Sequence, residues 1–211
     1  LHSQLVENDH ESQKPDSSFV TTGNLTTLNS FYDAVVPAME TLKKEGKILN
    51  WGIGPGQEEA VCDVINSSTP PDAIQCGVNV LNSLGAIGYA SIKPNPKLVL
   101  EESKKKDIPI LAIRAVQAGA LTSKMDREPH PSGFDHPDFA DYEKAQPFRK
   151  LAEDWGESPA SLAHRYALSI DKVGSVILGI KNREELIECL EAEKKGRLDT
   201  EQIYTLENLF N

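Results

Sequence analysis

Apolar runs of strand length alternate with stretches whose apolar residues recur every three or four places, through almost all of the 211 residues. That alternation constrains the fold more than any other feature of the chain. Strands are predicted at Leu1–Leu5, Ile48–Gly54, Ala73–Val80, Ile108–Ala115 and Val173–Ile180. Between them, Ser30 with Asp33 three residues on predicts a helix start, and Val35, Ala38, Met39 and Leu42 repeat as one buried stripe that Gly46 ends. Pro37 lies inside that stripe and predicts a kink or a late start. Helices follow at Glu58–Ile65, from Asn95-Pro96 to Lys106, over Tyr142–Trp155, from Ser158-Pro159 to Ile170, over Asn182–Lys195 before Gly196, and over Asp199–Phe210. The polar stretches Val6–Asn29 and Val116–Asp141 read as long surface loops. Strand and helix in turn build parallel sheets, either doubly wound or closed as a (β/α) barrel, and a barrel needs eight strands. Five are found, so the barrel reading leaves three strand–helix units unaccounted for. Residues 1–211 are expected to form a single domain.

The charge narrows the function classes. A net charge of −10 argues against surfaces built for nucleic acid or anionic membranes, leaving local basic sites for one small anion. No apolar stretch approaches the ~18 residues of a membrane span, and the first residues lack a signal-peptide pattern, so a cytoplasmic protein is expected. Cys62, Cys76 and Cys189 have neither disulfide-framework nor C-x-x-C spacing and are expected to be buried small apolar residues. The chain opens at Leu1 within a strand pattern and without an initiator Met, which suggests a piece of a longer protein.

Gly52-Ile53-Gly54-Pro55-Gly56 links a strand to a helix, but Pro55 removes an amide and no acid ends the next strand. Tight-turn glycines fit better than a dinucleotide fingerprint. His130 and His136, with Asp135 between them, lack metal-ligand spacing and read as solvated loop residues. His164, on a helix, is expected to make a packing hydrogen bond. His2, alone beside apolar neighbours, reads as a structural strand residue on its pattern alone. Gly179-Ile180-Lys181-Asn182-Arg183 joins a strand end to a helix start, where free amides, the helix dipole and two cations suit an anion as well as they suit a solvated loop.

Several segments, in this order and spacing, resemble the C-terminal part of an aldo-keto reductase, beginning at the fourth barrel strand. They are Leu42-Lys43-Lys44-Glu45-Gly46-Lys47-Ile48 with Trp51-Gly52-Ile53-Gly54, Ala73-Ile74-Gln75-Cys76, Ile113-Arg114-Ala115-Val116-Gln117-Ala118-Gly119, Phe148-Arg149-Lys150-Leu151-Ala152, Ser158-Pro159-Ala160-Ser161-Leu162-Ala163, Val176-Ile177-Leu178-Gly179 and Glu184-Glu185-Leu186. The resemblance implies a partial TIM barrel, strands four to eight with their helices and a C-terminal helix. It also implies NADP(H) as cofactor and hydride transfer between nicotinamide and a small-molecule carbonyl or alcohol.

By the same resemblance, Leu1-His2-Ser3 matches the end of the fourth strand and makes His2 the catalytic histidine. The proton-donating Tyr, its Lys and its Asp are expected on strands that precede Leu1, so the 211 residues alone are expected to be inactive. Within them, a substitute proton donor would have to be Tyr89, His130 or Tyr142. Gln75 stands where the family binds the carboxamide, and Arg114 where many members stack a Tyr on the nicotinamide. Gly54-Pro55 replaces a common Ser-Asn pair. Gly179, Lys181 and Arg183 are placed for cofactor phosphate, Lys181 for the 2′-phosphate, while Glu188 precedes Cys189, which stands at an adenine-contacting Asn. No metal is expected. The alternative reading is a non-catalytic barrel remnant or a cofactor-sensing binding subunit.

Overall fold

Each of the five predicted strand regions contributes a strand to a computed structural model that describes residues 1–7, 25–88, 93–125, 127–128 and 136–210. They are β1 (Gln4–Val6), β3 (Gly52–Ile53), β4 (Ala73–Gly77), β5 (Ile110–Ile113) and β6 (Val173–Val176). A sixth, β2 (Leu25–Thr27), lies in the stretch expected to be a loop. It pairs in parallel with β1, Gln4 opposite Leu25 and Val6 opposite Thr27, and the Ser3 and Thr26 hydroxyls hydrogen-bond. A three-residue strand has too short a pattern to be read locally, and only the partner supplied by β1 reveals it.

The chain divides into two compact units, one formed by Leu1–Cys76 with Ile87–Leu111, the other by Gly77–Ala86 with Ala112–Asn211. In the first, β3 and β4 pair in parallel, Gly52 opposite Ala73 and Ile53 opposite Ile74, and the Ile74 N–H reaches the Pro109 carbonyl (3.1 Å) just before β5. Leu5, Phe31, Ile53, Val64, Ile74 and Ile110 form the buried core of this unit. Two helices, α3 (Glu58–Asn66) and α4 (Pro96–Lys105), pack on each other, as the apolar spacing predicts.

The helix before them departs from expectation. Thr27, not Ser30, is the N-cap, its hydroxyl accepting the Ser30 N–H (3.2 Å) at the start of α1 (Leu28–Ser30). A π-helical turn over Phe31–Val35 follows, and then α2 (Val36–Lys44) with Pro37 in its first turn. Pro37 has no N–H to give and its ring crowds the carbonyl one turn back, so a widened turn precedes it and the α-helix starts late, at Val36, which is one of the two outcomes expected of Pro37. The stripe of Val35, Ala38, Met39 and Leu42 is only half-buried at best, with Ala38 exposed and Phe31 carrying the burial instead.

In the second unit the end of β5 receives β6, the Ile177 N–H donating to the Ala112 carbonyl (2.8 Å). The helices here are α5 (Pro137–Lys144), α6 (Gln146–Asp154), α7 (Pro159–Ser169), α8 (Arg183–Lys195) and α9 (Thr200–Glu207). Ser158, Asn182 and Asp199 cap the last three through their side chains, and Asp199 with Gln202 forms a reciprocal capping box. Leu121, Phe148, Leu162, Tyr166, Leu198 and Leu206 make its core. In the segment after β6 and on α8, however, Ile177, Leu178, Ile180, Leu186, Ile187 and Leu190 stay 37% to 48% exposed. Among the described residues no helix is long and apolar enough to cross a membrane.

Candidate active site

A cavity of about 690 Å³ opens in the first unit, walled by residues of β3, β4 and β5 and by Leu1 and His2, with Trp51, Gly54, Gln75 and Leu111 in its lining. Its lining runs from Asn50, Asp72 and Pro109, which precede β3, β4 and β5, along those strands to Gly54. The glycines beside it are small for a reason other than the tight turns expected of them. None of Gly52, Gly54 and Gly56 has a positive φ. A Cβ on Gly56 would stand 2.5 Å from the Leu5 carbonyl oxygen, and one on Gly52 2.6 Å from that of Ala73. The backbone of residues 1–5 therefore lies directly on the β3–α3 connection, tied by Gly54 N–H to Leu1 O (2.9 Å) and Gln57 N–H to Leu5 O (2.8 Å). That contact carries His2 to the cavity.

Gln75, in the middle of β4, is half-buried, and His2 is exposed at the cavity wall. Gly54 lies between them, since a Cβ there would be 3.9 Å from Gln75 Oε1 and 4.0 Å from His2 Cα. Neither side chain hydrogen-bonds to any described residue. A primary amide and an imidazole with uncommitted donors and acceptors thus face one cavity. Such a pair can bind a carboxamide and a carbonyl oxygen.

The remaining candidates belong to the second unit. Arg114 follows β5 at φ +60° and is tied down, its guanidinium pairing with Asp138 and its Nε donating to Gln117 Oε1 (3.0 Å). Gly179 is exposed and open around its Cα. Lys181 and Arg183 are exposed at the start of α8, where Glu185 places its carboxylate on the Lys181 N–H (2.8 Å) and Asn182 Oδ1 takes the Glu185 N–H (2.9 Å). An internal anion thereby uses part of the donor capacity of that helix end. Glu188 accepts from the Ser158 hydroxyl. Cys189 Sγ lies 3.1 Å from His164 Nε2, the packing contact expected of His164.

Burial lowers the His164 pKa, with Glu188 opposing, and the same burial with Glu188 and Glu185 raises that of Cys189, so the pair is a neutral thiol and a neutral imidazole. Cys76 is buried as expected, whereas Cys62 and Cys189 are only partly so. His136 is also corrected: it is 5% exposed and its Nδ1 accepts the Asp138 N–H (3.2 Å) as the N-cap of α5. Tyr142 hydrogen-bonds the Ser123 carbonyl (3.3 Å), while Tyr89, His130 and Asp135 lie outside the described residues. Among the described residues no three His, Cys, Asp or Glu side chains gather as a metal site.

Sequence reasoning passed over Asp138, Asp141, Gln117 and Ser83, which link into one polar network with Arg114. The i, i+3 spacing of the two aspartates is the signal that would have found them, had the helix been started at Pro137.

The sequence model of the aldo/keto reductase family matches residues 6–211. The chain belongs to the aldo/keto reductase family. Solved aldo-keto reductases share its fold. AKR11C1 from Bacillus halodurans in its holo form has a TM-score of 0.64 at 18% identity over 88% of this chain and 59% of that one. Its apo form has a TM-score of 0.65 at 18% identity, over 88% and 60%. The thermostable aldo-keto reductase Tm1743, solved with the inhibitor epalrestat, has a TM-score of 0.59 at 16% identity over 87% and 55%. The present aldo/keto reductase chain thus spans less than two thirds of each. No significant match is found among curated proteins. The fold is accordingly that of the family's α/β barrel, represented by parallel strands and their helices.

Proposed function

We propose that this chain forms part of an NADP(H)-dependent oxidoreductase that interconverts aldehydes or ketones with alcohols. The observation carrying the reading is the cavity of about 690 Å³ on which the uncommitted His2 imidazole and Gln75 amide both open, in a chain of this family. Gln75 fits a carboxamide because it offers one acceptor and two donors and has no partner among the described residues. Lys181 and Arg183, beside the first N–H groups of α8, fit phosphate, with Gly179 leaving room for the approach and Glu188 further along the same helix toward the adenosine end. Arg114, whose guanidinium pairs with Asp138 in the second unit, enters this reading through the family pattern alone. When bound, the cofactor supplies the hydride.

The chain's own contribution is positional and electrostatic. His2 donates an imidazole N–H to the carbonyl oxygen and stabilises the negative charge that builds there as the carbon is reduced. Gln75 fixes the carboxamide and so the face of the ring that meets the substrate. Trp51 and Leu111 give the cavity apolar walls suited to a hydrocarbon or aromatic aldehyde. The reading takes the proton that completes the alcohol from the Tyr that the family pattern supplies, which these 211 residues do not offer at a matching position, and takes the enzyme to be cytoplasmic.

Titration of NADPH into the chain and into Gln75→Leu tests the reading. The variant should bind about 10- to 100-fold more weakly, since a buried ligand amide would lose its partners. Equal affinity would overturn the assignment. In a polypeptide that also carries the proton donor, His2→Ala should lower kcat by about 100-fold with little change in NADPH affinity. Cofactor binding with no aldehyde reduction by that polypeptide would favour a cofactor-sensing subunit instead.

A further inference from the structure

Helix α8 turns a patterned side to solvent. Its buried and half-buried positions, Glu185, Glu188, Cys189 and Ala192, recur at i, i+3, i+4 and i+7. They form the side that meets α7, where Glu188 takes the Ser158 hydroxyl and Cys189 touches His164. Arg183, Leu186, Leu190 and Glu193 lie on the opposite side, all exposed, with Ile187 beside them. Their spacing is three, four, three, which is the a/d seam of a helix that packs on another helix. A surface that meets only water has no use for such a seam.

Both ends of the seam carry an unpaired charge. Among the described residues neither the Arg183 guanidinium nor the Glu193 carboxylate has an ion-pair or hydrogen-bond partner, whereas Lys194 pairs with Glu191 and Lys195 with Glu157. The order cation, Leu, Leu, anion is complementary to its own reverse. Laid antiparallel on a second copy about a two-fold axis level with Glu188, the helix sets Leu186 against Leu190 of the second copy and Arg183 against its Glu193, each contact occurring twice. A parallel arrangement would oppose Arg183 to Arg183 and Glu193 to Glu193, so charge selects the antiparallel one, as do the helix dipoles. The net charge of −10 on each copy resists association at long range, but it is screened within about 8 Å at physiological salt and leaves the local pattern to decide.

We propose that the exposed side of α8 is a homodimer interface, in which two copies of this chain pair the helix antiparallel through Leu186 and Leu190, with an Arg183–Glu193 ion pair at either end. The inference is independent of the cofactor reading. Arg183 is also the side chain offered to phosphate above, so the test is made without cofactor. One helix from each copy is a small contact, and the expected dimer is a weak one, with a dissociation constant of about 10 μM.

Sedimentation velocity between about 1 and 100 μM tests this, and the wild-type chain should pass from monomer to dimer across that range. Arg183→Glu and Glu193→Arg each oppose like charges at both ends and should weaken the dimer about tenfold. The double variant reverses every pair and should return it to within about threefold of wild type. Leu186→Glu with Leu190→Glu should abolish it. All four positions are exposed, so helical circular dichroism should be unchanged in every variant. A wild-type chain that stays monomeric throughout, alone or joined to further strands that cover this side of α8, overturns the proposal. Charge variants that fail to compensate each other, or a dimer that survives both glutamates, overturn it as well by placing the contact elsewhere.

Discussion

Single residues decide the polarity at both of the chain's candidate binding regions. At the start of α8, the Glu185 carboxylate accepts the main-chain N–H of Lys181 (2.8 Å), whose own cationic side chain is exposed. Lys181→Ala should weaken NADPH far more than NADH, because only NADPH carries the 2′-phosphate. Glu185→Gln should strengthen NADPH by a few-fold by removing the competing anion, and calorimetric titration of both cofactors checks each expectation. His164 yields a pH dependence. Its pKa is lowered from 6.5 by burial, and its Nδ1 has no hydrogen-bond partner among the described residues. The unfolded chain therefore takes up a proton that the folded chain resists, so this residue's share of stability is present above about pH 6.5 and is lost as the pH falls through the lowered value. Thermal melts between pH 7 and pH 5 should show a smaller fall in Tm for His164→Leu than for wild type. Lys181 was legible in the sequence as a candidate for the 2′-phosphate, whereas the burial of His164 and the reach of Glu185 to the Lys181 amide were not.

Elements were legible where their signals are local. The Ser158-Pro159 start of α7, the Asn182 cap and Gly196 stop of α8, and the Asp199 cap of α9 were all read from a few adjacent residues. Asp199→Ala should accordingly cost about 1 kcal/mol, measured by urea denaturation, since it removes one half of a capping box. The misread elements depend on something distant. β2 needs the edge of β1, and the half-exposed stripe of α2 reflects which side of the helix meets a neighbour. The glycines of β3 and its connection belong here as well. Gly56→Ala should destabilise by about 1–3 kcal/mol, because the added Cβ overlaps the Leu5 backbone at 2.5 Å and a main chain gives way less easily than a side-chain tip. If denaturation shows the variant unchanged, β1 does not lie against the β3–α3 connection as described.

For the molecule as a whole, the telling feature is the set of exposed apolar side chains after β6 and on α8 in the second unit. Six large aliphatic side chains, three in the segment just after β6 and three on α8, are 37% to 48% exposed, an unusual density for a surface facing water. Light scattering on the isolated chain is expected to show self-association, and the pair Leu186→Lys with Leu190→Glu should reduce it without loss of helical circular dichroism. A monomeric wild-type chain with unchanged behaviour in the variant would contradict that. Sequence by itself determined the succession of strands and helices, the parallel α/β class, the caps and the family, because these depend on periodicity and on residues adjacent in the chain. Tertiary structure alone decided that His2 and Gln75 open on one cavity, that Gly52 and Gly56 are small because backbone presses on them, and that Arg114 is bound by Asp138. The physical reason is range: periodicity and capping act over one or two turns of chain, whereas a cavity, a close backbone approach and a buried ion pair join residues that only packing makes neighbours.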